Sequence, residues 1–171
     1  MLDKRKEMWY MNNQKYTSAN TSINSKKMPA IYKMVADRIS PDMTVIDYGC
    51  GKYFDSYGLG ENFAGYDPYN RPDEEVLENT YDIALCSNVL NVIMEYENRI
   101  LLLQKLKEIA RKIYITVYEG NGSGEGKVSK NDCYQLNRKS GDYGPELVNV
   151  FGPGNVKWNR KGYFECVGSV V

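Results

Sequence analysis

Short apolar runs divide the middle of the chain into four predicted strands. Each run is four to seven residues long, mostly apolar, and bounded by glycine, proline or polar positions. The runs cover residues 44–47, 63–67, 81–87 and 113–118. Continuous apolar runs of this length are typical of strands buried on both faces of a parallel sheet.

Two segments carry apolar residues at helical spacing. Residues 95–112 repeat them every three or four positions, and Glu95 stands four residues before Arg99 in the order that favours an ion pair along one helix. We expect this helix to cover the sheet with one face and to expose the other. A shorter helix is predicted over residues 29–39, because Pro29 suits a first helical turn.

The C-terminal third predicts a helix and a hairpin. Residues 145–151 suit a short helix, and residues 156–158 and 163–167 have the pattern of two paired strands. Residues 120–126 contain four glycines and predict a mobile connection.

The alternation of strands and helices predicts an α/β fold. We expect a mostly parallel sheet with helices on both faces and an antiparallel C-terminal hairpin. Residues 1–28 are polar and basic and predict an N-terminal arm, whereas residues 29–171 predict one domain.

Composition narrows the chemistry that the chain can perform. Among its 171 residues there is no histidine, which excludes histidine-based nucleophile triads, histidine general bases and histidine-ligated metals. The four cysteines form no CxxC pair, so we expect no metal site and free buried thiols in a reducing compartment. No segment resembles a secretory signal or a membrane span, which predicts a cytoplasmic protein.

The formal net charge of zero conceals an uneven distribution. Residues 1–40 carry eight Lys or Arg against three Asp or Glu, residues 41–100 carry three against twelve, and residues 101–171 carry eleven against seven. An acidic middle argues against a nucleic-acid surface there and allows a cationic ligand.

A glycine turn between two acidic residues is the feature that predicts a ligand. Asp47 precedes Gly49 and Gly51 at the end of the first predicted strand, and Asp67 follows the second strand, 20 residues after Asp47. Glycines at this place let a ligand approach the backbone, and a carboxylate at the end of the next strand can hold the hydroxyls of a ribose.

Two nucleotide ligands fit this frame from the spacing alone. A dinucleotide fingerprint requires a third glycine where Phe54 stands, and Asp47 would repel a diphosphate. An acidic residue beside the glycines suits a ligand with an ammonium and a sulfonium group instead. The residues therefore favour S-adenosylmethionine over NAD, and a nicotinamide-dependent oxidoreductase stays the weaker alternative.

Residues 47–51, together with Asp67 and residues 81–93, resemble motifs of class I S-adenosylmethionine-dependent methyltransferases. More narrowly, they are similar to methyltransferases associated with DNA phosphorothioation and to small phage-encoded relatives. The resemblance covers residues 17–118 and implies a Rossmann-like sheet of order 3-2-1-4-5-7-6 with strand 7 antiparallel. Because only 14 residues separate Asp67 from Asp82, we expect the third strand and its helix to be reduced or missing.

The resemblance also implies roles for individual residues. The expected cofactor-binding residues lie at the ends of three strands and are Asp47, Gly49, Cys50, Gly51, Asp67, Pro68, Ser87 and Asn88. Asp67 would hold the ribose. The family's adenine-binding residue comes from the reduced region and cannot be placed in this chain, so Pro68 and Tyr69 are the candidates to cover one face of the adenine instead. The candidate catalytic residues, which would orient an acceptor, are Asn88, Asn91 and Tyr118.

The methyl acceptor is not identified by the sequence, and small molecules and nucleic acids both stay open. The motif of amino-methylating DNA enzymes is not found after residues 81–87. A basic and aromatic rim is one candidate nucleic-acid surface, and it comprises Lys26, Lys27, Arg138, Lys139, Trp158, Arg160, Lys161 and Tyr163. The alternative function is a non-catalytic S-adenosylmethionine-binding accessory protein of a phage or DNA-modification system.

Overall fold

A six-stranded sheet forms the centre of the protein. The computed structural model describes residue 21, residues 26–128 and residues 133–171, so most of the predicted arm lies outside the described residues. The strands of the sheet are β1 (Val45–Tyr48), β2 (Phe63–Tyr66), β3 (Tyr81–Ser87), β4 (Ala110–Thr116), β7 (Val156–Asn159) and β8 (Tyr163–Val167). Their order is β2-β1-β3-β4-β8-β7.

The topology confirms the predicted mostly parallel sheet with an antiparallel finish. Strands β2, β1, β3 and β4 run parallel, whereas β8 is antiparallel to β4 and to β7. This is the expected order of strands without its third member, because the chain between β2 and β3 forms one 3₁₀ turn, Glu74–Glu78, among the described residues. The strand order reverses between β1 and β3, and in such sheets ligands bind at this switch point.

Helices cover both faces of the sheet, as predicted. The helices are α1 (Ala30–Met34), α2 (Tyr96–Ile109) and α3 (Gly144–Phe151). Side chains alternate along each strand, so Val45 and Ile83 pack under α1 while Ile46 and Ala84 pack under α2 and α3.

The helix predicted over residues 95–112 is shorter than expected. It ends at Ile109, and β4 begins at the next residue, Ala110. Ala110 is a strong helix former, but its pairing with Tyr81 in the sheet decides its conformation. The prediction for Arg99 is also wrong, because its guanidinium is buried and pairs with Glu146 of α3 at 2.8 Å rather than with Glu95.

The glycine-rich segment leads into a small second sheet that the sequence did not predict. β5 (Gly126–Val128) pairs antiparallel with β6 (Tyr134–Leu136). A Cβ on residue 126 would overlap the ring of Tyr134, so glycine is needed there. Strands of only three residues give almost no periodic signal.

Three further observations concern the expectations drawn from composition. No helix within the described ranges is long and apolar enough to cross a membrane, and the cytoplasmic location stays a prediction. The same residues contain no cluster of three acidic or cysteine side chains able to hold a metal ion. Cys50, Cys86 and Cys166 are buried and form no disulfide bond.

Candidate functional site

The glycine turn lies where β1 ends, at the switch point of the sheet. Gly49 and Gly51 adopt φ angles of 83° and 68°, which side chains with a Cβ rarely tolerate. The amides of Gly49 and Cys50 both donate to the carbonyl of Tyr66, at 2.8 and 3.1 Å, and so bind the turn to the end of β2. A Cβ on Gly49 would overlap Cγ2 of Val89, which comes from the loop after β3.

Asp47 is the buried carboxylate beneath this turn. Only 1% of its surface is exposed, and its Oδ2 accepts a hydrogen bond of 2.7 Å from the hydroxyl of Tyr32 in α1. Burial, and then the charge of Asp67, raise the pKa of Asp47 to about 7, although the Tyr32 hydrogen bond works in the opposite direction. The carboxyl group can therefore take up a proton near pH 7 or pair with a bound cation.

Asp67 closes the loop that follows β2. Its Oδ1 accepts from the amides of Tyr69 and Asn70, at 3.1 and 2.7 Å, and from the Asn70 side chain at 2.9 Å. Its Oδ2 accepts from the amide of Gly51 at 3.2 Å, and its backbone pairs with that of Arg71. The two predicted binding elements, the glycine turn and the second carboxylate, are thus in direct contact.

Cys50 and Pro68 are buried neighbours of these carboxylates. The Cys50 thiol lies 3.6 Å from the carbonyl of Gly51, and burial raises its pKa well above the usual range. Pro68 is buried, whereas Tyr69 at the tip of the same loop has 52% of its surface exposed. Of the two residues predicted to cover an adenine, Tyr69 is the one whose ring is accessible.

Phe54 explains why the turn is not a dinucleotide fingerprint. It begins the 3₁₀ turn Phe54–Tyr57, and its ring packs against Gly65 of β2, where a Cβ would lie 2.8 Å from the ring. The guanidinium of Arg71 covers the ring at 5.2 Å and pairs with Asp55 at 2.7 Å. A bulky aromatic side chain occupies the place where the dinucleotide pattern needs a glycine.

The loop after β3 forms the other side of the switch point. Ser87 accepts a hydrogen bond of 3.1 Å from the hydroxyl of Thr116, and the amide of Asn88 donates to the Thr116 carbonyl at 2.9 Å. Asn88 is exposed and has a φ of 58°, a left-handed conformation that is uncommon outside glycine. Residues held in such an uncommon backbone conformation are often found at functional sites.

Asn91 and Tyr118 contribute to the site in different ways. Asn91 is buried, donates to Gln135 at 3.0 Å and accepts from the amide of Tyr118 at 3.2 Å. Gln135 in β6 in turn donates to the Tyr118 carbonyl at 3.1 Å. The Tyr118 ring itself is 61% exposed. Asn91 therefore fixes the segment after β4, while Tyr118 presents a free side chain there.

Three members of the predicted basic and aromatic rim make contacts within the protein. Tyr163 is fully buried, so it is not part of any surface. Arg138 is bound to Glu146 and to the carbonyl of Asp142, and Lys161 pairs with Asp37 at 3.3 Å. The rim as a nucleic-acid surface stays a prediction for the remaining residues.

Several site residues were missed by sequence reasoning. Tyr32, Val89, Thr116 and Gln135 all contact a predicted site residue from a different element. Val89 lies within residues 81–93, for which a resemblance is stated, but the sequence predicted no role for it, and Tyr32, Thr116 and Gln135 belong to no motif. Each of the four meets its partner only after the sheet has formed. Tyr32 lies in the helix predicted over residues 29–39, but nothing in that pattern pointed to Asp47.

The strand order, the glycine turn at its switch point and the carboxylate after β2 define a Rossmann-like α/β fold. No protein-family profile matches the sequence, and a search of curated proteins gives no match. Among solved structures, the chain is similar to the Burkholderia thailandensis 1,6-didemethyltoxoflavin N1-methyltransferase, which was solved with 1,6-didemethyltoxoflavin and S-adenosylhomocysteine. The TM-score is 0.58 at 14% identity, over 98% of this chain and 87% of that one.

Another similar structure is magnesium protoporphyrin IX methyltransferase from Synechocystis PCC 6803 with S-adenosylmethionine, with a TM-score of 0.46 and 18% identity over 99% of both chains. At the identity of the Burkholderia enzyme, the likeness shows the fold. The chain has the Rossmann-like fold of class I S-adenosylmethionine-dependent methyltransferases.

Proposed function

We propose that the protein is an S-adenosylmethionine-dependent methyltransferase that binds its cofactor across the carboxyl ends of β2, β1 and β3. One observation carries the proposal: a turn with two left-handed glycines, Gly49 and Gly51, joins two buried carboxylates, Asp47 and Asp67, at the switch point. The fold of the Burkholderia enzyme places this chain in the same architecture.

The chemistry of Asp47 fits the methionine end of the ligand. None of the ion pairs among the described residues includes Asp47, and burial without a cation raises its pKa to about 7. An ammonium group would supply the missing positive charge and return the carboxyl group to its ionised form. Gly49 and Gly51 leave the backbone beside it open to close approach.

The chemistry and position of Asp67 fit the ribose. It is a buried carboxylate at the end of β2, and the amides of Gly51, Tyr69 and Asn70 hold it in place. A carboxylate at this place in the fold can accept hydrogen bonds from the hydroxyls of a ribose. Pro68 and the exposed ring of Tyr69 would then border the adenine.

The remaining site residues orient the acceptor. When bound, S-adenosylmethionine supplies an activated methyl group, which the acceptor's lone pair takes while the carbon–sulfur bonding pair stays on sulfur. The chain must align the acceptor and exclude water, and this needs no histidine. Asn88 and Tyr118, which are exposed at the ends of β3 and β4, would contact the acceptor, and Asn91 would position the Tyr118 segment.

A small molecule is the acceptor class that we propose. The Burkholderia enzyme is bound to 1,6-didemethyltoxoflavin. In this chain, burial of Tyr163 and the ion pairs of Arg138 and Lys161 engage three members of the predicted nucleic-acid rim within the protein. The narrower resemblance to phosphorothioation-associated and phage-encoded proteins rests on the sequence motifs alone. It keeps nucleic acid as the alternative acceptor.

Calorimetry with S-adenosylmethionine and S-adenosylhomocysteine tests the cofactor. We expect both to bind, and Asp67→Ala to weaken the affinity at least tenfold. Asp42→Asn is the matched control, because it removes an exposed carboxylate that pairs with Ser40 away from the site. Binding of NAD in place of these ligands would contradict the proposal.

Turnover is tested by transfer of a labelled methyl group. The label should appear in the small-molecule fraction of a cell extract rather than in DNA, together with S-adenosylhomocysteine. A protein that binds the cofactor but transfers no label would instead be the accessory protein considered above. One observation favours that second function. Asn91 is one of the three candidate catalytic residues, and its internal hydrogen bonds keep its side chain away from the acceptor.

A further inference from the structure

We propose that Tyr32 is a positioning residue of the cofactor site: its hydroxyl holds the Asp47 carboxylate through Oδ2, so that Oδ1 receives the ligand's ammonium group. The inference rests on the proposed function and adds to it a residue that no motif contains. It also gives α1, which precedes the sheet in the chain, a part in ligand binding.

The geometry of the pair is tightly determined. The Tyr32 hydroxyl lies 2.7 Å from Asp47 Oδ2, and both residues are buried. The Tyr32 ring meets Tyr57 edge-on, with 6.0 Å between the ring centroids, and Phe63 at 6.3 Å. A ring packed on two sides cannot swing away, so the hydroxyl keeps one oxygen of Asp47 engaged.

The electrostatics of the site make this hydroxyl important. The titratable groups that face Asp47 from the neighbouring elements are Tyr32, Cys50, Tyr57, Asp67 and Cys86. Each of these groups is neutral or negative. Burial and the charge of Asp67 both favour the protonated form of Asp47. Of the interactions with these five groups, the hydrogen bond from Tyr32 is the one that favours the ionised form.

Loss of the hydroxyl should change how binding depends on pH. Without the donor, Asp47 keeps its proton to a higher pH, and a protonated carboxyl group binds an ammonium poorly. A residue that only supports the fold would reduce affinity equally at every pH. The pH profile thus separates a positioning role from a structural one.

The experiment compares Tyr32→Phe with Tyr163→Phe by calorimetry with S-adenosylhomocysteine from pH 5.5 to 8.0. Tyr163 is a buried tyrosine under the same face of the sheet, and its hydroxyl has no partner among the described residues. We expect Tyr32→Phe to raise the pH of half-maximal affinity by about one unit and to weaken binding about fivefold at pH 7. Tyr163→Phe should leave the profile unchanged.

The outcomes distinguish this inference from the proposed function. Failure of the wild-type protein to bind S-adenosylhomocysteine overturns both. Binding that Tyr32→Phe leaves unchanged, or weakens equally at every pH, overturns the inference alone. In an Asp47→Asn background, Tyr32→Phe should have no further effect on the pH profile, and a persisting shift would mean that Tyr32 acts elsewhere.

Discussion

Gly49 and Val89 are in direct contact, because Cγ2 of Val89 occupies the space where a Cβ of residue 49 would lie. The contact joins the turn after β1 to the loop after β3. These are the two elements that flank the switch point of the sheet, so the width of the proposed ligand site depends on this pair.

We expect Gly49→Ala to destabilise the protein by about 2 kcal/mol or more, because both the overlap with Val89 and the φ of 83° oppose a Cβ. Urea denaturation measures the loss. Adding Val89→Ala should recover only the part that is due to overlap. Full recovery in the double variant would show that the backbone angle carries no cost.

Asp47→Asn should stabilise the ligand-free protein while weakening ligand binding. The folded-state pKa of Asp47, about 7, lies above its unfolded value, so its contribution to stability is lost as the pH rises from about 4 to 7. Asparagine does not ionise, so the variant avoids this loss, and its side-chain oxygen still accepts the hydrogen bond from Tyr32. Thermal melts should show no benefit near pH 4 and a gain of up to about 4 kcal/mol at pH 8.

If the stability of Asp47→Asn exceeded that of the wild-type protein by the same amount at every pH in this range, ionisation of Asp47 would not be the cause. Asp42→Asn is again the matched control. Its carboxylate is exposed and its pKa is lowered by the Ser40 hydroxyl, so the same substitution there should not stabilise the protein at pH 8.

Binding of S-adenosylhomocysteine should release a proton from Asp47. With a pKa of about 7 in the free protein, we expect release of about 0.9 proton at pH 6 and about 0.5 at pH 7. Calorimetry in buffers of different ionisation enthalpy measures this number. Equal heats in all buffers at pH 6 would show that Asp47 is already ionised before the ligand arrives.

Arg99→Met should destabilise the protein by about 3–5 kcal/mol. Glu146 stays buried, and of its two ion-pair partners among the described residues it keeps only Arg138. Lys161→Met is the control. Its pair with Asp37 is exposed, so its loss should cost much less than the loss of the buried Arg99 pair. If urea denaturation gives similar losses for the two variants, the Arg99 pair does not hold α2 to α3.

Local sequence patterns predicted the parts of the fold that neighbouring residues determine. The apolar runs placed β1 to β4 within a few residues, and Asp47, Gly49 and Asp67 lie at the switch point, where they form the candidate site. The short interval before Asp82 also predicted the missing third strand. In each case a few neighbouring residues determine the result.

The parts that could not be predicted depend on contacts distant in sequence. Arg99 has the pattern of a surface residue and is buried only because Glu146, 47 residues later, meets it. Tyr32 meets Asp47 through the packing of α1 on β1. The start of β4 at Ala110 is likewise decided by pairing in the sheet rather than by helix propensity.

The absence of a third strand among the described residues leaves β2 paired in the sheet on one side only. A strand with a single neighbour opens more readily than one in the interior, so its amide hydrogens should exchange with solvent faster than those of β1. A ligand that bridges Asp47 and Asp67 would fasten β2 to the sheet. Slower exchange of the β2 amides would then report that the site is occupied, before any acceptor is known.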